Sequence, residues 1–324
     1  MEKQFDELAQ KLGTRVKQGE PMNVHTTLRV GGAARLYIEV ETIDDLVGTV
    51  SSAKQLGVTV VVIGGGSNAV VSSQGINGLV IKNNCRKIDV ARMSGKIVNQ
   101  QIDMENAYVS AESGAIMNLL VRSTVDEGLC GLEYQLGLPG TVGGAVANNA
   151  SFAPTQSYVG DCLYNARILT KEGEVREVDG SYFAFGYDTS SIGKNGDIVL
   201  SVVFKLTPAD KSLLWQRATE ALNHRTSQQT TKYGVGCTFR NIAIRNDLEM
   251  PSKEAIEDAI ILIQKAGLLG LQVGGVMLSK NHPNFVYNMG NGDASDVLSL
   301  VGQIKAEIRN NYGKDLHMEA AEVK

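Results

Sequence analysis

The chain has 324 residues, of which 43% are hydrophobic and 20% charged, and its formal net charge is −4. This composition is typical of a folded protein of two or three domains and excludes wholesale disorder. The absence of a basic excess argues against nucleic acid as a partner. We expect no membrane span, because no apolar run reaches the ~20 residues that one requires. No metal-ligand or disulfide spacing occurs among the histidines and cysteines, so we expect no metal and a cytoplasmic protein.

The first part of the chain, residues 1–83, is predicted to alternate helices and strands. Its elements, from periodicity and capping signals, are a helix over residues 2–12, a strand over 35–41, a helix from Thr42 to about 56, and strands over 58–63 and 78–82. After the opening helix the order is therefore β-α-β-β.

Residues 84–207 change to short strands and turns, and residues 208–315 to longer helices. The predicted elements are strands over 97–103, 107–111, 162–169, 174–178 and 198–206, a helix over 116–127, and helices over 210–224, 252–266 and 294–309. Lys171-Glu172-Gly173 is a hairpin signal between two of the strands. We expect three domains, 1–83, 84–207 and 208–315, with residues 316–324 returning to the second.

The most distinctive motif is a first glycine loop, Gly64-Gly65-Gly66-Ser67-Asn68, directly after the predicted strand 58–63. Glycines let the backbone approach a ligand closely and adopt positive φ, and successive amides can converge on a phosphate. It is not the G-x-G-x-x-G dinucleotide motif, because no amphipathic helix follows. A plain tight turn is the alternative reading.

A second glycine loop, residues 137–145 (GLPGTVGGA), holds four glycines and a proline. A simple turn needs only one or two such residues. So many of them indicate a wall that packs against a ligand. Two separate glycine loops together favour a ligand that contains a pyrophosphate.

Cys237 follows glycines in Gly234-Val235-Gly236-Cys237. An accessible thiol there could donate a proton or act as a nucleophile. Without further context, a small buried hydrophobic residue is the favoured alternative. Near the C-terminus, Glu319 and Glu322 taken alone are an acidic tail.

Taken in order, these segments resemble the bacterial UDP-N-acetylenolpyruvoylglucosamine reductase family, the flavoenzymes of peptidoglycan precursor synthesis. The resemblance covers nearly the whole chain, from Thr26 to about Glu319. The segments that carry it are residues 26–32 (TTLRVGG), 64–68 (GGGSN), 131–133 (GLE), 137–145 (GLPGTVGGA), 148–150 (NNA), 185–187 (FGY), 236–241 (GCTFRN), 266–268 (AGL) and the pattern Ser279-x-x-His282-x-Asn284-Phe285.

The resemblance implies an α+β protein: a two-domain FAD-binding fold of the p-cresol methylhydroxylase and vanillyl-alcohol-oxidase type, plus a third, α+β substrate-binding domain. It implies hydride transfer from NADPH to FAD and then to the enolpyruvyl double bond, which yields UDP-N-acetylmuramate. The short path from Tyr187 to Cys237 resembles the subgroup that lacks an extra substrate-covering loop. The implied cofactor-binding residues are Gly64, Gly65, Gly66, Ser67, Asn68, Pro139, Gly140, Thr141, Gly143, Gly144 and Asn148.

The resemblance also implies catalytic and substrate residues. Cys237 takes the place of the family's proton-donating serine. The catalytic glutamate matches Glu319 best, although Glu322-Val323 also resembles the family's Glu-Val pair. The implied substrate-binding residues are Tyr187, Arg225, Arg240 and Asn241.

The sequence departs from the family at Asp188, where Phe-Gly-Tyr is followed by aspartate instead of the family's arginine. An anion there would repel a substrate carboxylate that a cation attracts. Arg225 or Arg240 could supply the positive charge, the substrate could lack the carboxylate, or the reaction could be slow. We therefore keep two alternatives: an FAD-binding homologue with lost or altered activity, and a flavin enzyme acting on another substrate.

Overall fold

The computed structural model describes residues 2–98, 101–228, 233–243, 256–257 and 259–324. The elements of its first region are α1 (Glu2–Leu12), β1 (Lys17–Pro21), β2 (Ala33–Val40), α2 (Ile43–Gln55), β3 (Val60–Ile63), β4 (Ala69–Val71) and β5 (Ile76–Asn83). β2, β5 and β3 pair in parallel and β1 adds an antiparallel edge. The predicted β-α-β-β elements are thus confirmed, with β1 and β4 as two additional strands.

Helix α2 begins where the sequence predicts. The Thr42 side chain accepts a hydrogen bond from the Asp45 amide and so caps the first turn. One face of the helix buries Leu46, Val50 and Ala53 against the sheet, in one core with Leu8 of α1. This packing fixes β3, and with it the loop that leaves its carboxyl end.

The second region contains an antiparallel sheet in the order β12-β11-β13-β7-β6. Its elements are β6 (Ile88–Val98), β7 (Gln101–Glu112), α3 (Met117–Asp126), β8 (Leu129–Cys130), α4 (Val142–Ala147), β9 (Ser151–Phe152), β10 (Ser157–Tyr158), β11 (Leu163–Leu169), β12 (Val175–Asp179), α5 (Ile192–Asn195) and β13 (Ile198–Pro208). The predicted hairpin at Lys171-Glu172-Gly173 joins β11 to β12. The single strand predicted over 97–103 is wrong, because Ile97 pairs with Ile102 across two antiparallel strands.

The third region begins with a long helix and continues into a small sheet, β14-β19-β18-β17. Its elements are α6 (Lys211–Gln228), β14 (Tyr233–Cys237), β15 (Ile242–Ala243), β16 (Ile256–Glu257), α7 (Ala259–Lys265), β17 (Gln272–Val273), β18 (Val276–Leu278), β19 (Phe285–Asn288) and α8 (Ala294–Tyr312). Of the helix predicted over 252–266, the structure shows α7 at its C-terminal end and a strand at residues 256–257. Residues 252–255 and 258 lie outside the described residues.

The C-terminal segment does not return to the second region. A last strand, β20 (Ala321–Val323), pairs in parallel with β4 of the first region. Leu316 and Ala320 are buried in a core that joins Leu28 and Val70 to the third region. The expected placement of residues 316–324 is therefore wrong, because their apolar side chains fill the joint between the first and third regions. Across the described part of the chain, no helix is long and apolar enough to cross a membrane.

Candidate functional site

The two glycine loops lie against each other. A Cβ added to Gly65 would come within 2.8 Å of the Gly140 Cα, and one added to Gly64 would collide with the Thr141 hydroxyl. The Ser67 hydroxyl donates a hydrogen bond of 3.3 Å to the Pro139 carbonyl. Side chains at the glycine positions would therefore separate the loops.

The first glycine loop also packs on the segment before β2. Gly66 has φ of +66°, in the left-handed region, and a Cβ there would collide with the His25 carbonyl. The Thr27 amide donates a hydrogen bond of 3.1 Å to the Gly66 carbonyl. Residues of the Thr26-Thr27-Leu28-Arg29 motif are therefore built into the same site.

A cavity of about 510 Å³ opens where these segments meet the third region. It is lined by Val24, His25, Thr26, Thr27, Arg29, Gly65, Ser67, Lys82, Pro139, Tyr233, Gly234, Gly236, Phe285 and Val286. Both glycine loops contribute to the wall, as the sequence predicts, and β14 and β19 close the opposite side.

The cavity suits the pyrophosphate of FAD on two structural grounds. The glycines let the two loops pack closely together, so that Gly65, Ser67 and Pro139 form one wall of the cavity. Arg29 and Lys82 add two cations to the lining. The Lys82 ammonium donates to the Gly64 carbonyl, and burial lowers its pKa. Residues of both loops, together with Arg29 and Lys82, could hold the cofactor.

The second glycine loop is partly helical, and this changes the role open to Gly143. Gly143 lies in α4 and its amide donates a 2.8 Å hydrogen bond to the Ser113 carbonyl, so it has no free donor for a phosphate. A Cβ there would also meet Ser113, which gives the glycine a packing reason. Gly144 lies on the same helix and Asn148 ends it.

Sequence reasoning missed several residues of the cavity. Arg29, His25 and Tyr233 line it without having been predicted as ligand contacts, and Lys82 lies within a strand. The Arg29 guanidinium lies over the Tyr233 ring, 5.3 Å from its centroid, and so links the first and third regions. The motif at residues 26–29 was the available signal for Arg29. The alternation of apolar and polar residues in β5 gave no signal that Lys82 faces a cavity.

A second group of predicted residues gathers around the segment after β14. Thr238 and Arg240 form main-chain hydrogen bonds with the C-terminal segment: the Glu319 amide donates to the Thr238 carbonyl at 2.8 Å, and the Arg240 amide donates to the His317 carbonyl at 2.9 Å. This pairing brings Glu319 beside the segment that contains Cys237. The structure thereby brings together residues 82 positions apart in the chain.

Glu319, and not Glu322, lies in this group. Burial and the nearby Asp188 carboxylate raise the Glu319 pKa to about 8, and Arg240 opposes the rise. The Glu322 side chain is exposed and pairs with Lys324 at 3.4 Å. Of the two carboxyls left open by the sequence, only that of Glu319 faces the predicted substrate residues.

Asp188 lies at a tight turn in which Gly186 and Thr189 exchange main-chain hydrogen bonds. Its φ is +48°, a left-handed conformation that aspartate tolerates better than most side chains. Burial raises its pKa to about 6, and Arg240 together with hydrogen bonds from Tyr187 and Ser151 opposes the rise. The anion expected to repel a substrate is therefore balanced by a neighbouring arginine.

Two arginines of the group have buried nitrogens without a partner. The Nε atoms of Arg225 and Arg240 are buried and make no hydrogen bond in the structure. One terminal nitrogen of Arg225 donates at 3.3 Å to Tyr134 and Ser151 carbonyls and to the Gln135 amide oxygen. Burial lowers the Arg225 pKa to about 10. Because a buried unpaired donor is costly, these guanidinium groups are suited to an anionic ligand.

Tyr187, Asn241 and Cys237 complete the group. The Asn241 side-chain amide donates a 3.0 Å hydrogen bond to the Tyr187 hydroxyl. Burial, with the Asp188 and Glu319 carboxylates, raises the Tyr187 pKa. The half-buried Cys237 thiol acts electrostatically on both Tyr187 and Arg225. A potential proton donor and two cations therefore lie together.

Two models of known protein families match most of the chain. Residues 34–179 match the model of an FAD binding domain, and residues 228–323 match that of the UDP-N-acetylenolpyruvoylglucosamine reductase C-terminal domain. The first match extends from the first predicted domain into the second. The predicted α+β fold class and the predicted FAD cofactor are confirmed.

Relatives that carry the same name match almost end to end. The chain is 32% identical to the UDP-N-acetylenolpyruvoylglucosamine reductase of Bacillus subtilis over 98% of its own length and 97% of the relative's. It is 32% identical to that of Chlamydia muridarum over 91% and 90% of the two chains. The solved reductase from Thermus caldophilus superposes with a TM-score of 0.73 at 28% identity, over 95% of this chain and 98% of that one. These matches give no support to the alternative of a homologue that has lost the activity. The chain belongs to the UDP-N-acetylenolpyruvoylglucosamine reductase family.

Proposed function

We propose that the protein reduces the enolpyruvyl group of a UDP-sugar, UDP-N-acetylglucosamine enolpyruvate, to UDP-N-acetylmuramate. The observation that carries this proposal is that the cavity and the group of side chains around Cys237 are neighbours, since Gly236 lines the cavity. A cavity suited to a flavin dinucleotide adjoins the group of side chains around Cys237, in which the unpaired guanidinium nitrogens of Arg225 and Arg240 suit an anionic substrate. When bound, FAD supplies the hydride chemistry between NADPH and the substrate double bond.

Arg225 and Arg240 take over the positive charge that the family places at position 188. Both have a buried Nε without a partner, which a substrate carboxylate would satisfy. A cation beside the developing enolate also lowers the energy of the transition state. Asp188 then serves as a counter-charge to Arg240 in the absence of substrate.

Cys237 donates the proton that completes the reduction. After hydride addition the neighbouring carbon carries enolate character and must be protonated. A thiol, with an ordinary pKa of about 8.5, is a stronger acid than the hydroxyl of serine. The thiolate left behind is stabilised by Arg225, which interacts with it electrostatically.

Glu319 is a neutral carboxyl at neutral pH, because its pKa is raised to about 8. A neutral acid can donate a hydrogen bond to an enolate oxygen without repelling it. Asn241 and Tyr187, which are bonded to each other, line the same side and contribute to binding of the UDP-sugar. We also propose a cytoplasmic location and membership of the subgroup without the extra substrate loop.

The experiment is to load the purified protein with FAD and follow NADPH oxidation with and without the UDP-enolpyruvyl sugar. Substrate-dependent oxidation, with a product two hydrogens heavier than the substrate, supports the proposal. Flavin-loaded protein that oxidises NADPH only at the rate seen without the sugar contradicts it. Structurally different enol ethers as substrates test the alternative of another substrate.

A further inference from the structure

The pattern Ser279-x-x-His282-x-Asn284-Phe285 has no role in the function proposed above, although its polar members are buried. The exposed fractions of Ser279, His282 and Asn284 are 1%, 7% and 2%. The pattern connects β18 to β19 and lies beside Cys237, which pairs with Phe285 in the sheet. Buried polar side chains in a connection require hydrogen-bond partners.

The connection is itself a rigid turn. The Ser279 hydroxyl accepts from the Asn281 and His282 amides at 3.1 Å each, and His282 Nδ1 accepts from the Asn284 amide at 3.3 Å. The His282 ring stacks on that of Phe285 with centroids 3.9 Å apart. These contacts leave the Asn284 side chain with little conformational freedom.

Asn284 extends the sheet beyond the end of β14. Its Oδ1 accepts from the Phe239 amide at 2.8 Å, and its Nδ2 donates to the Phe239 carbonyl at 2.7 Å. Its own carbonyl accepts from the Thr238 amide at 2.8 Å, and the Thr238 hydroxyl accepts from the Val286 amide at 3.2 Å. One carboxamide thus takes the place of a strand partner for Phe239.

The other edge of the same segment is held by the C-terminal strand region. Phe239 pairs with Met318, while Thr238 and Arg240 bond Glu319 and His317. The Phe239 side chain is only 1% exposed and anchors the segment in the core. Cys237 and Arg240 therefore lie at the two ends of a segment that is fixed on both edges.

From this geometry we infer that Asn284 is a positioning residue, which sets where the Cys237 thiol and the Arg240 guanidinium lie relative to the substrate. The inference rests on the proposed function for its catalytic consequence. The Asn284 amide both accepts from the Phe239 amide and donates to its carbonyl, whereas an ionised aspartate can only accept. An aspartate has the same shape but would place a second oxygen against that carbonyl.

The test compares Asn284→Asp and the milder Thr238→Val with a matched control, Asn83→Asp. Asn83 is also buried, donating to the Ser113 hydroxyl at 2.8 Å and accepting from the Cys85 amide at 3.0 Å, but it lies in the first region. The two half-reactions are measured separately: flavin reduction by NADPH, and anaerobic reoxidation of the reduced flavin by the UDP-enolpyruvyl sugar.

We expect Asn284→Asp to slow reoxidation by about tenfold or more and flavin reduction by less than about twofold, because small displacements of reacting groups are costly. Thr238→Val should slow the same step by a smaller factor. Asn83→Asp should lower the melting temperature without changing the ratio of the two rates. Equal slowing of both half-reactions by Asn284→Asp, or unchanged reoxidation, would overturn the inference.

Hydrogen exchange gives a readout that does not depend on turnover. The amides of Thr238, Phe239 and Arg240 should exchange at least about tenfold faster in Asn284→Asp and at the original rate in Asn83→Asp. Unchanged exchange in this segment overturns the inference. If the unaltered protein fails to reoxidise its flavin with the sugar, the proposed function fails, and the exchange result still decides whether Asn284 fixes the segment.

Discussion

The side-chain amide of Asn68 donates a hydrogen bond of 3.4 Å to the main-chain carbonyl of Glu319, 251 positions further along the chain. The Asn68 carbonyl in turn accepts from the Ala321 amide at 2.9 Å. The last residue of the first glycine loop is therefore bound to the segment that carries the candidate catalytic carboxyl. Hydrogen bonds therefore connect the cavity to the group of candidate substrate residues around Cys237 and Glu319.

This connection predicts that the C-terminal strand supports cofactor binding from a distance. Deletion of residues 321–324 removes β20, its pairing with β4, and the hydrogen bond from the Ala321 amide to the Asn68 carbonyl. We expect the deletion to weaken FAD binding by about tenfold, measured by fluorescence titration of the flavin-free protein. Glu322→Ala is the control, because it keeps the main-chain pairing and should bind FAD normally. Equal affinity in the deleted protein would contradict this view of β20.

Gly65→Ala should separate the two glycine loops. The new Cβ would lie 2.8 Å from the Gly140 Cα, a contact that requires the backbone to shift. We expect FAD affinity to fall by more than about tenfold, since the ligand-facing wall changes shape. Gly48→Ala is a matched control in α2 with nothing within 4 Å, and it should raise stability by about 0.5–1 kcal/mol. Loss of FAD in both variants would contradict the assignment.

The raised pKa of Glu319 predicts a pH dependence of stability. Between the ordinary pKa near 4.5 and the folded value of about 8, the folded protein holds a proton that the unfolded chain has released. The free energy of unfolding therefore has a contribution that is fully present below about pH 4.5 and is lost as pH rises to about 8. Glu319→Gln should remove this contribution, so that the free energy of unfolding falls less steeply as pH rises from about 4.5 to about 8.

Urea unfolding of the flavin-free protein at a series of pH values measures the effect. In Asp188→Asn the loss of stability with rising pH should be complete at a lower pH, because the Asp188 carboxylate helps to raise the Glu319 pKa. Glu322→Gln is the control, since its exposed carboxyl pairs only with Lys324 among the described salt bridges. An unaltered slope in Glu319→Gln would show that this carboxyl is ionised in the folded protein.

Asp188→Arg tests whether the lost family arginine has been replaced. Arg225 and Arg240 already present unpaired nitrogens, and the Asp188 backbone is left-handed, which suits aspartate better than arginine. We expect the variant to gain no more than about twofold in kcat/KM and to be less stable. Arg240→Met should lose at least about 100-fold in kcat/KM by comparison. A large gain in Asp188→Arg would favour an enzyme with impaired activity.

Local patterns predicted much of the fold and the two loops that meet at the cavity. Capping at Thr42 and the β-branched run before Gly64 are signals within a few residues, and both are confirmed. Residues 316–324 were predicted to return to the second region, and this was wrong, because apolar residues such as Leu316 do not specify which distant core they join. Lys82 was missed for a similar reason, since its position in the lining of the cavity cannot be deduced from the pattern of its strand. Glu319 was distinguished from Glu322 by its burial and by its main-chain hydrogen bond to Thr238.

The central claim is that the cavity and the group of side chains around Cys237, which includes Arg240 and Glu319, form one reaction site. The most direct test reduces the flavin-loaded protein without oxygen, mixes it with one equivalent of the UDP-enolpyruvyl sugar, and follows flavin reoxidation in the unaltered protein and in Cys237→Ser and Cys237→Ala. We predict complete reoxidation with one saturated product per flavin, retained in the serine variant and slowed about 100-fold or more in the alanine variant. A flavin that stays reduced in the unaltered protein, or an alanine variant that reoxidises as fast, would contradict the account.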